Sequence, residues 1–153
     1  MALDVTRIRA VVFDYGNTLI RFGEEQLTAY GHGLADALIR HYGPLDLERF
    51  FALRAKARKE PYEGNPPLYR EHNLGVLTRE LIHELYGEEP EQHIVDTLLD
   101  VRFRNFVNVV HAEDDVAHVL TALKRRYKLG LLSNYPDGPA IRASLDKVGL
   151  SAY

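Results

Sequence analysis

The chain has 153 residues, of which 46% are hydrophobic and 27% charged, with a formal net charge of −3 and no cysteine. These values are ordinary for a globular domain, and the weakly negative charge gives no field that would attract nucleic acid or an anionic membrane. The lack of cysteine excludes disulfides, thiol catalysis and zinc–thiolate sites, and it fits a cytoplasmic protein.

Residues 1–7 lack the long apolar region of a secretory signal peptide. No segment reaches the roughly 18 consecutive apolar residues that are needed to span a bilayer. We therefore expect neither nucleic acid nor a membrane among the partners of this chain.

A short apolar run near the N-terminus ends at a carboxylate. Residues 11–13 read Val-Val-Phe without polar alternation, which is typical of a strand buried on both faces of a parallel sheet. Asp14 follows at the carboxyl end, where open α/β sheets bind their ligands. Gly16 and Asn17 tolerate the backbone angles of a loop that curls around a small anion. The alternative is an ordinary strand whose terminal Asp caps a turn.

Residues 23–106 carry the pattern of four amphipathic helices. Their apolar stripes are Leu27, Tyr30, Leu34, Leu38 and Tyr42, then Leu47, Phe50, Phe51 and Leu53, then Leu74, Leu77, Leu81 and Leu85, and finally Val95, Leu99, Phe103 and Phe106. Asp46 suits the N-cap of the second helix, glycines at 43 and 87 end the first and third, and the proline-rich segment 60–67 predicts a loop. Gly31 and Gly33 weaken the first helix. The pattern predicts a helical bundle.

The second helix carries a run of cations on its other face, namely Arg54, Lys56, Arg58 and Lys59. We interpret them mainly as a solvated face with positive charge near the helix C-terminus, which the helix dipole favours. The alternative is a basic patch that draws an anionic substrate towards the site.

An α/β pattern returns after residue 110. A helix with the stripe Val116, Val119, Leu120, Leu123 and Tyr127 precedes the apolar run 128–132, which ends at Ser133 and Asn134. Pro139 suits the start of a further helix. Parallel strands align their carboxyl ends, so Ser133 and Asp14 are expected to converge on one ligand.

The two strand ends resemble the first two motifs of the haloacid dehalogenase-like (HAD) hydrolase superfamily. Residues 11–14 with Thr18 match hhhhDxDx(T/V), and residues 131–134 match an apolar strand that ends in Ser or Thr. The resemblance implies a partial three-layer αβα Rossmann-like core at residues 1–22 and 107–153. It also implies an inserted helical cap of type C1 at residues 23–106.

The same resemblance implies a Mg²⁺-dependent phosphatase that acts on a small phosphorylated molecule. Asp14 would be the nucleophile, forming an aspartyl-phosphate, and would bind Mg²⁺ together with the backbone carbonyl of Gly16. The implied phosphate-binding residues are Tyr15, Gly16, Thr18, Ser133 and Asn134. We expect the Tyr15 side chain to point away from the site.

Two departures from the family pattern leave alternatives open. Gly16 stands where the second Asp, the usual acid/base, is found, so a carbon–halogen hydrolase or a non-catalytic relative is also considered. No Lys or acidic pair follows as a third and fourth motif, because Asp137, Asp146 and Lys147 lie just after the second. We therefore expect this chain alone to be nearly inactive, and to dimerise or to recruit a missing C-terminal half that completes its sheet.

Overall fold

The computed structural model describes residues 7–64, 66–69 and 72–153. Within this part the chain forms a two-stranded parallel sheet and six α-helices. The order is β1 (Ala10–Asp14), α1 (Glu24–Tyr42), α2 (Leu47–Lys59), a 3₁₀ turn (Glu60–Tyr62), α3 (Leu74–Tyr86), α4 (Gln92–Val109), α5 (Asp114–Lys124), β2 (Lys128–Leu132) and α6 (Gly138–Lys147). The predicted α/β class, a partial core combined with a helical region, is confirmed.

The two strands lie side by side in register, with Asp14 opposite Leu132. Phe13 and Leu129 pack from one face of this sheet against the core. The other face is open, since Val12 is 63% and Leu132 68% exposed. The prediction of a strand buried on both faces is therefore wrong for β1. The apolar composition of a strand does not show whether both faces of its sheet are covered. Here the core cluster covers one face.

The core under the sheet joins α4, α5 and α6 to the strand ends. Its most deeply buried apolar members include Ile20, Phe106, Val110 and Leu120. The loop that follows β1 enters this core at Ile20, and Arg21 N donates to His111 O at 2.9 Å. This pairing connects the loop after Asp14 to the chain just beyond α4.

A second core cluster lies among α1, α2, α3 and α4. Leu34, Phe50, Ile82 and Leu98 are almost completely inaccessible in it. Tyr30 of α1 and Phe106 of α4 belong instead to the cluster under the sheet, so these two helices extend through both regions. The proposed boundaries of core and cap, residues 1–22 with 107–153 and residues 23–106, stay a prediction.

Three predicted helix faces need correction. Val119, assigned to the apolar stripe of α5, is 47% exposed. Leu47, assigned to the apolar stripe of α2, is 41% exposed because it occupies the first position of the helix. In α4 the buried residues include Leu98, Val101 and Arg102 instead of Leu99. This helix packs against α1, α3 and α6 at once, so it buries a wider arc than one stripe.

The glycines of α1 allow neighbouring helices to approach closely. A Cβ atom at Gly31 would lie 2.5 Å from the ring of Phe51, and a Cβ atom at Gly33 would collide with the amide of Asn105. The sequence predicts only that these glycines weaken the helix. The structure adds that they create the space in which α2 and α4 pack.

The predicted helix ends are confirmed. Asp46 Oδ1 accepts from Arg49 N at 3.0 Å at the start of α2, and Gly43 and Gly87 end α1 and α3 with φ of +88° and +71°. The predicted loop 60–67 contains the 3₁₀ turn at its start, and Asn65 lies outside the described residues. No helix in the described ranges combines the length and the apolar character that crossing a membrane requires.

Candidate active site

The carboxyl ends of β1 and β2 open into a cavity of about 810 Å³. Asp14, Gly16, Ser133 and Asn134 line it on the side of the sheet. Residues from α1, α2, α3 and α4 line the rest, so the helical region forms the opposite wall. The predicted convergence of the two strand ends is thus present in the geometry, because parallel register brings Asp14 next to the residue before Ser133.

The loop after Asp14 is held by its own hydrogen bonds. Thr18 Oγ1 donates to Asp14 Oδ2 at 3.4 Å, and Asn17 Oδ1 accepts from Phe22 N at 3.0 Å. Asn17 adopts the left-handed conformation with φ of +57°, whereas Gly16 does not have a positive φ. Of Gly16 and Asn17, only Asn17 has the left-handed backbone conformation that we expected of both from the sequence.

Gly16 leaves open space where a side chain could stand. A Cβ atom built on it meets no heavy atom within 4 Å. Glycine is thus not required by packing or by backbone conformation at this position. Its presence removes a functional group without being needed for the fold.

Tyr15 points into the core beneath the sheet. Its hydroxyl is hydrogen-bonded to the buried hydroxyl of Ser144, whose Oγ in turn donates to Ile141 O at 2.7 Å. Burial raises the pKa of Tyr15, and the bond to Ser144 acts in the opposite direction. This phenol is therefore engaged away from Asp14 and cannot act as its proton donor.

The second strand end is ordered by a short turn. Ser133 Oγ accepts from Tyr135 N at 3.1 Å, which leaves the Ser133 hydroxyl hydrogen free to donate towards the cavity. Tyr135 stacks on Phe106 with ring centroids 4.2 Å apart and an interplanar angle of 12°. Asp137 Oδ1 accepts from Ala140 N at 2.9 Å and caps α6. Asp137 is thus committed to a structural role.

Two arginines belong to the helical wall: Arg102, which the sequence reasoning missed, and Arg54, which it named only in the alternative of a basic patch. Arg102 of α4 is 7% exposed, and its Nη1 donates to the Tyr30 hydroxyl at 3.5 Å. The sequence does contain a hint of this role. Arg102 lies four residues after Leu98 and four before Phe106, so a cation interrupts an apolar stripe of α4. Such a residue needs a partner or a function.

Arg54 of α2 is partly buried, which contradicts the solvated-face interpretation for this residue. Its guanidinium carbon lies 5.0 Å from the ring centroid of Tyr30 and 5.3 Å from that of Phe50. Burial lowers the pKa of Arg54 to about 10, and the neighbouring Arg102 and Arg58 add to the decrease. The group remains a cation at neutral pH. The solvated-face interpretation holds for Lys59, which is exposed.

The residues after β1 are compatible with Mg²⁺, the metal that the resemblance implies. Asp14 is an exposed carboxylate at the cavity, and the Gly16 carbonyl follows two residues later. Mg²⁺ often binds through one or two protein oxygens and keeps water or substrate phosphate as its other ligands. Across the described ranges, no group of three His, Cys, Asp or Glu side chains could hold a metal ion. The donor set therefore suits a site completed by water and substrate.

The sequence matches no family model and no curated protein. Among solved structures, a 2-haloacid dehalogenase from Pseudomonas syringae is 21% identical with a TM-score of 0.65, and the match covers 95% of this chain and 61% of that one. YfnB from Bacillus subtilis, described as a HAD hydrolase bound to magnesium, is 17% identical with a TM-score of 0.59, over 94% and 61% of the two chains.

A haloacid dehalogenase-like hydrolase from Xanthomonas campestris is 18% identical with a TM-score of 0.54, over 95% of this chain and 58% of that one. The chain thus spans about three fifths of the length of these neighbours. At such low identities the likeness concerns the fold. The chain has the fold of the haloacid dehalogenase-like hydrolases, with a partial α/β core and a helical region over its strand ends.

Proposed function

We propose that this chain carries the nucleophile of a Mg²⁺-dependent HAD-like phosphatase that acts on a small phosphorylated metabolite. The observation that carries the proposal is the position of Asp14 and Ser133 at the adjacent ends of two parallel strands, on one cavity. We propose a cytoplasmic location on composition alone. The small phosphorylated molecule is the partner for which the cavity is suited.

The chemistry follows from what each side chain can do. An Asp14 carboxylate oxygen attacks phosphorus in line, an O–P bond forms as the bond to the leaving oxygen breaks, and water then hydrolyses the aspartyl-phosphate. The hydroxyl of Ser133 donates to a phosphoryl oxygen, and the backbone amide of Asn134 adds a further donor. Thr18, expected to bind phosphate as well, does not line the cavity, and its hydroxyl donates to Asp14 Oδ2. Bound Mg²⁺ would offset the repulsion between the anionic nucleophile and the anionic substrate.

Position 16 supplies no carboxylic acid to the leaving oxygen because it is glycine, and the Tyr15 hydroxyl is bonded to Ser144. The proton would then come from another group, from water or from the substrate. General acid–base catalysis contributes about 10²- to 10⁴-fold. Substrates with good leaving groups, which need no protonation, are therefore favoured.

Gly16 also supports a second candidate, a carbon–halogen hydrolase. Displacement of a halide needs a carboxylate nucleophile but no proton on the leaving group. One structural neighbour is described as a 2-haloacid dehalogenase. In this mechanism Asp14 attacks carbon, halide leaves, and water cleaves the resulting ester; no metal is required.

The deciding experiment compares two substrates with and without Mg²⁺. We expect this chain alone to hydrolyse 4-nitrophenyl phosphate only slowly, with a rate that depends on Mg²⁺, and to release no chloride from 2-chloropropionate. Asp14→Asn should remove the activity, while Asp36→Asn, a change at an exposed position of α1 away from the cavity, should not. Metal-independent chloride release would instead establish the second candidate.

A second measurement does not depend on turnover. Beryllofluoride mimics a phosphoryl group on an aspartate, and its binding is followed by ¹⁹F NMR with Mg²⁺ present. We expect binding to the wild-type chain and to Asp36→Asn, but not to Asp14→Asn. If the chain shows neither turnover of the two substrates nor beryllofluoride binding, it is a non-catalytic relative, the third alternative.

A further inference from the structure

We infer that the substrate carries a second anionic group, a carboxylate or a phosphate, which binds to Arg54 and Arg102 on the helical wall of the cavity. The inference extends the proposed function, because it assumes that the first phosphate sits at Asp14. It defines the substrate class as a small phosphorylated carboxylic acid or bisphosphate.

Arg102 is buried on the helical wall. Only 7% of it is exposed; among the described residues its Nε has no hydrogen-bond partner, and its Nη1 donates to the neutral Tyr30 hydroxyl at 3.5 Å. A buried charge is costly unless an opposite charge or a full set of hydrogen bonds compensates it. The described part of the chain leaves this compensation incomplete, and Arg102 lines the cavity.

Arg54 adds a cation to the same wall. None of the described carboxylates forms an ion pair with either guanidinium. Two of the acids that line the cavity are paired elsewhere: Glu60 with Lys56 and Glu84 with Arg49, each at 3.9 Å. The two neighbouring guanidiniums repel each other until an anion binds between or beside them.

Tyr135 connects this wall with the proposed phosphate site. It follows Ser133 by two residues, and among the described residues its buried hydroxyl lies beside Tyr30 without a hydrogen bond of ordinary geometry. Burial raises the pKa of Tyr135, the neighbouring Tyr30 adds to the increase, and Arg102 opposes it. The phenol therefore stays protonated and can donate a hydrogen bond. Tyr135, Arg102 and Ser133 line the same cavity.

Size and chemistry agree with this substrate class. A cavity of about 810 Å³ is large enough for a small metabolite. Arginine forms bidentate hydrogen bonds with both carboxylate and phosphate. A neutral sugar or alcohol phosphate would leave the two guanidiniums uncompensated and should bind less tightly.

The test compares matched ligands by isothermal titration calorimetry on the full chain with Mg²⁺. Glycerol 3-phosphate has one anionic group, 3-phosphoglycerate adds a carboxylate, and glycerol 1,3-bisphosphate adds a phosphate. We expect at least one of the doubly anionic ligands to bind about 10-fold or more tightly than glycerol 3-phosphate, which is the typical effect of hydrogen bonds to an ion.

Two pairs of variants identify the site. Arg54→Met and Arg102→Met should reduce the preference to less than about twofold while leaving glycerol 3-phosphate affinity similar. Lys59→Met on α2 and Arg104→Met on α4 remove a cation from the same helices outside the cavity, and should retain the preference. If the Arg102→Met protein fails to fold because Arg102 is buried, the Arg54→Met protein still provides the test, since Arg54 is only partly buried.

Malonate, which has no phosphate, separates this inference from the proposed function. Binding of malonate that requires Arg54 but survives Asp14→Asn would establish the anion site even if phosphatase chemistry failed. Equal affinities for the three phosphate ligands would overturn the inference and leave the proposed function standing. A preference that persists in Arg54→Met and Arg102→Met would overturn it as well, and so would a complete lack of binding by all four ligands.

Discussion

At residue 16 the chain has the backbone and the free space for a carboxylate but carries glycine. The Cβ direction is open for 4 Å, and φ is not positive, so an L side chain fits without strain. The residue that does need its conformational tolerance is the next one, Asn17, at φ of +57°. Neither packing around the Cβ position nor the backbone conformation therefore requires glycine at position 16.

We expect Gly16→Asp to accelerate hydrolysis of phosphate esters with poor leaving groups. A carboxylic acid beside the leaving oxygen would supply about 10²- to 10⁴-fold, with a smaller effect on 4-nitrophenyl phosphate, whose leaving group needs little protonation. The measurement is kcat for an alkyl phosphate and for the aryl phosphate in both proteins. Gly16→Ala is the matched control and should leave both rates unchanged.

An equal effect of Gly16→Asp on the two leaving groups would argue against an acid/base role. Loss of both activities would indicate that the added charge repels the substrate phosphate. If the chain is a carbon–halogen hydrolase, the new acid should not increase halide release at all. The substitution therefore distinguishes the two candidate functions at a single position.

The candidate site was only partly predictable from the sequence, for identifiable reasons. Asp14 and Ser133 follow from strand-end reasoning, because parallel strands align their carboxyl ends whatever the rest of the fold. Arg102 could have been recognised as a cation on an apolar stripe. Arg54 could not, because its burial depends on how closely α2 approaches α1 at Gly31, which is a tertiary property. The roles of all these residues in catalysis stay predictions.

At the scale of elements, α4 organises the molecule. It contacts α1, α3 and α6, and it contributes Arg102 and Phe106 to the cavity. Helix boundaries were well predicted, since caps such as Asp46 and Gly87 act locally. Buried faces were predicted less well, because the arc that a helix buries depends on how many neighbours it has. Three neighbours explain why Leu98 and Val101 are buried in addition to the predicted stripe.

The C-terminus of α4 is held by a cation from α6. Lys147 Nζ donates to the carbonyl oxygens of Val107, Asn108 and Val110 at 3.0, 2.6 and 3.2 Å. The last carbonyls of a helix have no intrahelical donor and carry partial negative charge, so a lysine there satisfies both needs. This contact also shows that Lys147 serves the fold and does not reach the strand ends.

We expect Lys147→Met to reduce the free energy of unfolding by about 1–2 kcal/mol, because three carbonyls lose a charged donor on an exposed surface. Urea denaturation followed by circular dichroism measures the change. Lys128→Met, which removes a cation from an exposed position of β2, is the control and should change stability by less than about 0.5 kcal/mol. A loss no larger than in the control would show that the contact contributes nothing to stability.

At the scale of the whole molecule, the sheet is covered on one side. The open sheet face lies opposite to the core and exposes the apolar Val12 and Leu132. Strand alternation and register place Ala10, Asp14 and Lys128 on the same face. A two-stranded sheet also leaves an unpaired edge on each strand. Parallel strands are ordinarily buried on both faces, and their composition reflects this. The residue types of β1 predicted that both faces of the sheet are buried. They could not show that the described core covers only one of these faces.

We predict that the 153-residue chain in solution associates with a second copy of itself through the open sheet face. Exposed Val12 and Leu132 would be buried in such a contact, and the unpaired strand edges lie beside them. Light scattering after size exclusion should show an average mass that rises with concentration from 17.5 kDa towards twice that value. Val12→Lys and Leu132→Lys should each keep the chain monomeric, because each replaces an apolar contact by a second lysine beside Lys128, which would have to be desolvated without a partner. Val119→Lys, at an exposed apolar position of α5, is the control and should associate like the wild type. A wild-type chain that stays at 17.5 kDa at the highest concentration, or a control that dissociates as completely as the two strand variants, would contradict the assignment of this face.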